Sequence, residues 1–315
     1  MTPAPSRLAV IDVGTNSVKL LVADMVGKSI TPVVEDSRQT RLGRGFYQAH
    51  RLQTEAVRHT AEAVARFADE AREKGAASVR VIGTSAARDA VNANELIEEI
   101  QRQSDLPLEI ISGEQEAAWT LQGVTSDPAL AGLPLLILDV GGGSTECVIG
   151  GAGGPSFQHS YPLGSVRLLE RLRPSDPPGL AALGECRAGL RLFLDREIAP
   201  ALQAALQCCQ RPPQLVGTGG TATILARMEH KMTAGFDRAI IEATRLSVAR
   251  VSEVLASLWQ ATHAERQQLP GLPPNRADVI LFGTAIYEAV MEQFDLAELR
   301  VTTRGLRFAA LRPGA

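Results

Sequence analysis

Two short stretches hold the residue types most able to do chemistry. In "ILDVGGGSTECVIG" (137–150) an apolar run enters three consecutive glycines beside Asp139 and leaves through Ser144, Thr145 and Glu146. In "AVIDVGTNSVKLLVAD" (9–24) the same pattern recurs, so that Asp12 matches Asp139, Gly14 matches Gly141 and Ser17 matches Ser144. Glycine tolerates positive φ and close approach by another group, and a turn rich in it can aim several N–H groups at one anion. The anion-holding positions are therefore Gly14, Thr15, Asn16 and Ser17 in one turn, and Gly141, Gly142, Gly143, Ser144 and Thr145 in the other. A third stretch, "GTGGT" (217–221), follows a strand and opens a helix, where free N–H groups and the helix dipole favour phosphate. Gly217, Gly219 and Gly220 there fit either a nucleotide contact or a tight strand-to-helix turn. Lys19 lies on a strand whose alternate side chains face solvent, and its role stays open.

Behind these turns the periodicities predict three strands at 8–13, 18–25 and 29–35. A long helix follows Thr54, with Val57, Ala61, Val64, Ala68 and Ala71 at three- and four-residue spacing and Gly75 as its stop. Strand, helix, strand and helix follow, giving the order βββαβαβα. From Leu133 the order returns: three strands, a helical stretch from about 179 to 208, the strand "QLVG", the helix "TATILARM", further helices through Met291, the strand "LRVTT" and a helix from Arg304. A repeat separated by more than a hundred residues is far longer than a solenoid period and implies two copies of one domain.

Composition bounds the reading. The 315 residues suffice for two ordinary domains. A net charge of −3 argues against a broad nucleic-acid or membrane surface, although a local basic cleft could hide within the total. The four cysteines, Cys147, Cys186, Cys208 and Cys209, have neither metal-ligand spacing nor disulfide-scaffold density, which points to a reducing, cytoplasmic compartment. The five histidines show no helical metal spacing. The first residues lack a signal-peptide core, and the apolar run around Leu133–Leu138 is too short to span a bilayer.

In their order along the chain, "IDVGTNSVKL", "RLGRG", "GTSAARDAVN", "ISGEQEA", "LDVGGGSTE", "YPLGSVRLLER", "GTGGT", "NRADVILFGTAIYEA" and "TTRGLR" resemble the exopolyphosphatase and guanosine pentaphosphate phosphatase family, within the actin, Hsp70 and sugar-kinase superfamily. The resemblance implies an α/β fold of two duplicated ribonuclease H-like (actin-like ATPase) domains, 1–124 and 125–315, the second with helical insertions and a last helix able to pack back on the first, and an active site in the interdomain cleft. It also implies the short form of the family, without additional C-terminal helical domains.

The implied activity is phosphoanhydride hydrolysis, releasing orthophosphate from the end of polyphosphate or the 5′-terminal phosphate of guanosine pentaphosphate. By resemblance, Glu116 in "SGEQEA" is the carboxylate that activates water, and Arg88 clamps phosphate. Asp139 and Glu146 hold Mg²⁺ or another divalent cation. Asp139 could instead cap its turn, Glu146 could be a solvated strand residue, and Arg88 could simply pair with Asp89. Gln115 stands where relatives often carry an acid. The expected partners are polyphosphate or guanosine pentaphosphate, with no nucleic acid and no membrane. Oligomeric state is not legible, and a homodimer stays open. Two other classes compete: a sugar or carboxylate kinase of the same fold, and a non-catalytic alarmone- or nucleotide-binding protein, which would not need a water-activating carboxylate.

Overall fold

The computed structural model describes residues 6–151, 153–233 and 235–312. The chain forms two compact units, residues 1–131 with 304–315, and residues 132–303. The boundary expected at 124/125 falls at the end of a helix in the first unit, and the closing stretch 304–315 belongs to that same unit.

The first unit runs β1 (Ser6–Val13), β2 (Ser17–Val26), β3 (Ser29–Gln39), α1 (Thr54–Glu73), β4 (Ser78–Gly83), α2 (Ser85–Asp89), α3 (Ala93–Ser104), β5 (Leu108–Ile110) and α4 (Gly113–Val124). Its sheet has the order β3-β2-β1-β4-β5. The first three strands form an antiparallel meander, and β4 and β5 add parallel to β1. Alternation along β1 decides which face each side chain serves. Ala9, Ile11 and Val13 join Val57, Ala61, Val64 and Phe67 of α1 in one core, whereas Val10 turns to the opposite face with Ile82, Trp119 and Phe308. Buried on both faces, β1 reads as a nearly unbroken apolar run until Asp12 interrupts it. The helix α1 presents an alanine-rich stripe that lets it lie close to the sheet, and Gly75 ends it at φ 79°.

The second unit runs β6 (Leu135–Val140), β7 (Thr145–Gly151), β8 (Gly154–Tyr161), α5 (Ser165–Leu172), α6 (Gly179–Phe193), a π-helical turn (Leu194–Ile198), α7 (Ala199–Gln207), β9 (Gln214–Thr218), α8 (Gly219–Glu229), α9 (Arg238–Ala243), β10 (Arg245–Ser247), α10 (Val248–Gln260), α11 (His263–Arg266), a 3₁₀ turn (Pro274–Arg276), α12 (Ile280–Gln293) and β11 (Glu298–Val301). Its sheet order is β10-β11-β9-β6-β7-β8. The path β8-β7-β6-β9-β11 repeats β3-β2-β1-β4-β5 strand for strand, with the same antiparallel meander and the same parallel additions. The extra edge strand β10 was not expected; at three residues it is too short to display a period of two, and it reads as part of the neighbouring helical run.

The last helix, α13 (Leu306–Ala310), packs on α4. The approach is possible because Gly123 has no side chain: a Cβ there would collide with the backbone of Gly305. Arg80 completes this seam, stacking 4.8 Å from the Trp119 ring centroid, pairing with Glu109 through two bonds of 2.8 and 2.9 Å, and donating to the Ala310 carbonyl. Among the described residues no helix is long and apolar enough to cross a membrane.

Candidate active site

In the first unit, the β1–β2 turn closes with Gly14 N–H donating to the Ser17 carbonyl at 3.1 Å. Thr15, Asn16 and Ser17 are all buried, and among the described residues the Thr15 and Asn16 amides donate to no protein group. Asp12 and Lys19 face each other across the two strands, 4.0 Å apart. Asp12 is 4 % exposed, and burial pushes its carboxyl above the ordinary aspartate range despite the opposing pull of Lys19 and Arg307.

Glu116 and Arg88 come from neighbouring strand-to-helix corners of this unit. The N-cap of α4 is Ser112, whose hydroxyl accepts from Gln115 N–H at 3.1 Å. That cap fixes the first turn so that Glu114 faces solvent while Glu116 turns inward, 6 % exposed. The one-turn helix α2 carries Arg88 to the same place. Its Nη1 donates to Glu116 Oε2 at 3.0 Å and to the Ile111 carbonyl at 3.2 Å, while its Nε stands 3.6 Å from Asp89. The two residues assigned to water activation and phosphate clamping thus form one ion pair, in which Glu116 is buried and Arg88 half-buried. The expected alternative of an Arg88–Asp89 pair is present as well, as the longer of the two contacts.

In the second unit, the β6–β7 turn repeats the first: Gly141 N–H donates to the Ser144 carbonyl at 3.0 Å. In both copies a Cβ on the leading glycine would stand 3.1 Å from that carbonyl, a tight contact that favours glycine at 14 and 141. Neither Gly14 nor any of Gly141, Gly142 and Gly143 has positive φ, so the conformational half of the expectation is corrected. The turn carbonyls are occupied by α5, whose first amides reach them: Ser165 to Gly141 at 3.0 Å and Val166 to Gly142 at 2.9 Å. Thr145 Oγ1 donates to the Leu163 carbonyl at 2.6 Å, and Arg167 Nε to the Gly143 carbonyl at 3.0 Å. With the carbonyls tied to α5, the Gly142 and Gly143 amides donate to no protein group among the described residues.

The position equivalent to Lys19 is Glu146. Asp139 and Glu146 are paired across β6 and β7 as Asp12 and Lys19 are across β1 and β2, so the second unit sets a carboxylate where the first sets an ammonium. Glu146 is 2 % exposed and accepts from Ser160 Oγ at 2.7 Å, which rules out the solvated reading. Two like charges facing across a ladder are destabilising unless a cation joins them. The pair therefore suits Mg²⁺, a hard ion that takes one or two carboxylates and fills its remaining positions with water and phosphate oxygens. No cluster of three or more His, Cys, Asp or Glu occurs among the described residues.

Behind Asp139 stands "GTGGT". Gly219 opens α8 at φ 79°, and a Cβ there would strike Asp139 Oδ1. Gly217 lies within β9, where a Cβ would come 3.0 Å from the Tyr287 ring, and Gly220 faces open space. Tyr287, fully buried on α12, reaches the Leu138 carbonyl at 3.0 Å and the Thr218 carbonyl at 3.2 Å, bracing the two strand ends that carry Asp139 and Gly219. Burial, and then the Asp139 charge, push the Tyr287 hydroxyl well above its ordinary value. Sequence reasoning passed over this tyrosine, and its one signal was an apolar helix at 280–293 carrying a single phenol.

The model of the Ppx/GppA phosphatase family matches residues 21–310. The chain belongs to that family. Exopolyphosphatase 2 of Mycobacterium tuberculosis is 35 % identical over 304 residues, covering 92 % of this chain and 91 % of that protein. A guanosine-5′-triphosphate,3′-diphosphate pyrophosphatase of Aeromonas salmonicida is 27 % identical over 95 % of this chain but 57 % of its own length. Among solved structures, an exopolyphosphatase from Cytophaga hutchinsonii matches with a TM-score of 0.86 at 27 % identity, over 97 % of this chain and 96 % of that one. The Aquifex aeolicus member of the family matches with a TM-score of 0.77 at 27 % identity, over 98 % and 97 %. Family membership accounts for the two repeated sheets as duplicated actin-like domains.

Proposed function

We propose that this Ppx/GppA phosphatase hydrolyses a terminal phosphoanhydride bond, releasing orthophosphate from polyphosphate or from guanosine pentaphosphate. The observation that carries the reading is the ion pair between buried Glu116 and half-buried Arg88 at the head of α4. In-line attack on a terminal phosphoryl group needs an acceptor for the water proton, and the Glu116 carboxylate, held by Arg88 through Oε2, is a group of that kind. In this role Glu116 orients the water, and Arg88 both positions the carboxylate and offsets charge on the phosphoryl oxygens.

The amides of Thr15 and Asn16 and those of Gly142 and Gly143 hold phosphate oxygens. Asp139 and Glu146 would hold Mg²⁺, which when bound offsets negative charge on the phosphate chain. The stiff support behind each group keeps it in place: Gly219 and Tyr287 behind Asp139, Ser160 behind Glu146, Ser112 behind the first turn of α4. Catalysis of this kind is positioning and electrostatic complementarity rather than covalent chemistry.

The test is phosphate release with Mg²⁺ and no acceptor, measured on short polyphosphate, long polyphosphate and guanosine pentaphosphate at equal concentrations of chain ends. Release from at least one of them is expected. Failure with all three, or release that depends on an added hydroxyl or carboxylate acceptor, would overturn the reading.

A further inference from the structure

The loop after β3 is built onto the first phosphate turn. Arg41 N–H donates to the Asn16 carbonyl at 3.0 Å and Gly43 N–H to the Thr15 carbonyl at 2.7 Å. Contact is so close that a Cβ on Gly43 would collide with Thr15 Cγ2. Leu42 and Phe46, both fully buried, pin the loop on either side in the core that also holds Val13 and Val18, and Phe46 packs edge-on against Tyr47 with ring centroids 5.1 Å apart. Arg41 itself sits at φ 53°, a conformation that costs a residue with a side chain on the order of 1–2 kcal/mol and that clusters at functional sites.

Between these anchors Arg44 is exposed, its own N–H tied back to the Arg41 carbonyl at 2.9 Å and its guanidinium in no hydrogen bond or ion pair among the described residues. No acidic residue occurs between Asp36 and Glu55, whereas Arg38, Arg41 and Arg44 recur every third position, a local basic run in a chain of net charge −3. Asn16 adds an independent sign. It is 7 % exposed, Gln39 Nε2 donates to its Oδ1 at 3.2 Å, and its Nδ2 is a buried donor with no acceptor among the described residues. A buried donor without a partner is costly, and this one lies in the turn on which the loop is clamped.

We propose that the Arg41–Gly45 loop is a second phosphate-binding element, in which Arg44 takes the phosphoryl group behind the terminal one and Asn16 Nδ2 donates to a phosphate oxygen beside it. The assignment to a phosphate chain rests on the hydrolase reading given above. A rigid backbone with an unpaired guanidinium binds such a chain at little ordering cost, and the planar fork of Arg matches two phosphoryl oxygens at once. With Arg44 assigned to the phosphoryl group behind the terminal one, the element distinguishes a chain of three phosphates from a single orthophosphate.

The experiment compares the intact wild-type protein with Arg44→Gln, Arg44→Lys and the control Arg58→Gln, which removes an exposed cation of α1 paired with Glu62. Tripolyphosphate and orthophosphate binding are measured by titration calorimetry at several salt concentrations, beside phosphate release from tripolyphosphate and circular dichroism to show that each variant is folded. For Arg44→Gln the expected result is a 5- to 30-fold weaker tripolyphosphate Kd, a KM that rises in step and a shallower dependence of log Kd on log salt, by slightly less than one ion. Orthophosphate binding should be unchanged. Arg44→Lys should keep the salt dependence and lose part of the affinity, and Arg58→Gln should change neither. Unchanged tripolyphosphate binding in Arg44→Gln, an equal loss in Arg58→Gln, or no tripolyphosphate binding by the wild type would overturn the proposal. If the wild type releases no phosphate from any phosphoanhydride while Arg44→Gln still loses tripolyphosphate affinity, the binding element stands and the hydrolase reading falls.

Discussion

Replacing Glu146 by Gln should make the protein more stable without metal and less responsive to it. In the metal-free state Glu146 faces Asp139 across adjacent strands, and removing one of two like charges from a ladder pair is worth roughly 0.2–1 kcal/mol. The substitution keeps shape, and the amide oxygen can still accept from Ser160. With metal the sign reverses, because the ion loses an anionic oxygen, and losses of this kind lower metal affinity by about 10- to 100-fold. Glu146→Lys goes further by recreating the Asp12–Lys19 arrangement, with an ammonium about 4 Å from the aspartate. At an effective dielectric of about 20, a unit charge at that distance contributes about 4 kcal/mol against each unit of ion charge, close to three decades of affinity. The assays are a thermal melt with and without Mg²⁺, Mn²⁺ binding by calorimetry, and the Mg²⁺ concentration for half-maximal phosphate release. The expected order of metal affinity is wild type, then Glu146→Gln, then Glu146→Lys. An unchanged Mn²⁺ affinity in both variants, or a metal-free Glu146→Gln that melts well below the wild type, would refute the reasoning.

Glu116→Gln should lower turnover by about 10²- to 10⁴-fold with KM largely kept, since it removes the proton acceptor but not the hydrogen-bonding shape; near wild-type kcat would show that Glu116 is not the base. Asp12→Asn should raise the melting temperature at pH 7, because burial holds the Asp12 carboxyl above its unfolded value and ionising it in the fold is costly. The cost is absent below the unfolded aspartate value of about 4 and grows as pH rises through the folded one, so the gain should vanish in melts at about pH 4. Gly219→Ala should displace the Asp139 carboxylate and impose a left-handed alanine, raising the half-activating Mg²⁺ concentration and lowering the melting temperature, whereas Gly220→Ala, which faces open space, should do neither.

Much of the fold was legible because the signals were long. The twenty-residue α1 repeats its apolar stripe over five turns, and β1 and β6 are unbroken apolar runs ending in Asp-Val-Gly, so both the elements and their duplication could be read from spacing. The short elements carried no period: α2, five residues long, delivers Arg88 yet reads as a turn, and β10 is lost among helices. At the site, sequence supplied the residues but not their pairings. That Arg88 meets Glu116 depends on two corners brought together by the parallel addition of β4 and β5, a contact across 28 residues that no local pattern encodes. The role of Gly219 as the seat of Asp139, and of Tyr287 as its brace, likewise depends on contacts across 80 and 149 residues of chain, as Tyr287 does in reaching Leu138.

The two copies show how one backbone device is given two chemistries. Each turn closes with the same glycine-to-serine bond, at 3.1 and 3.0 Å, and each follows an aspartate on the central strand. What differs is the residue opposite that aspartate and the element that braces the turn. In the first unit Lys19 offsets Asp12 internally, and the arginine-bearing loop of 41–45 is clamped onto Thr15 and Asn16. In the second, Glu146 doubles the negative charge and α5 occupies the turn carbonyls. The first arrangement adds fixed positive charge beside its turn, which suits direct contact with phosphate. The second concentrates fixed negative charge, which repels phosphate unless a divalent cation stands between them. A duplicated fold thus presents two electrostatic settings beside one repeated turn through a single change of sign at a cross-strand position, and exchanging that sign should exchange metal dependence, read as the Mg²⁺ concentration for half-maximal phosphate release, while leaving the turns themselves intact.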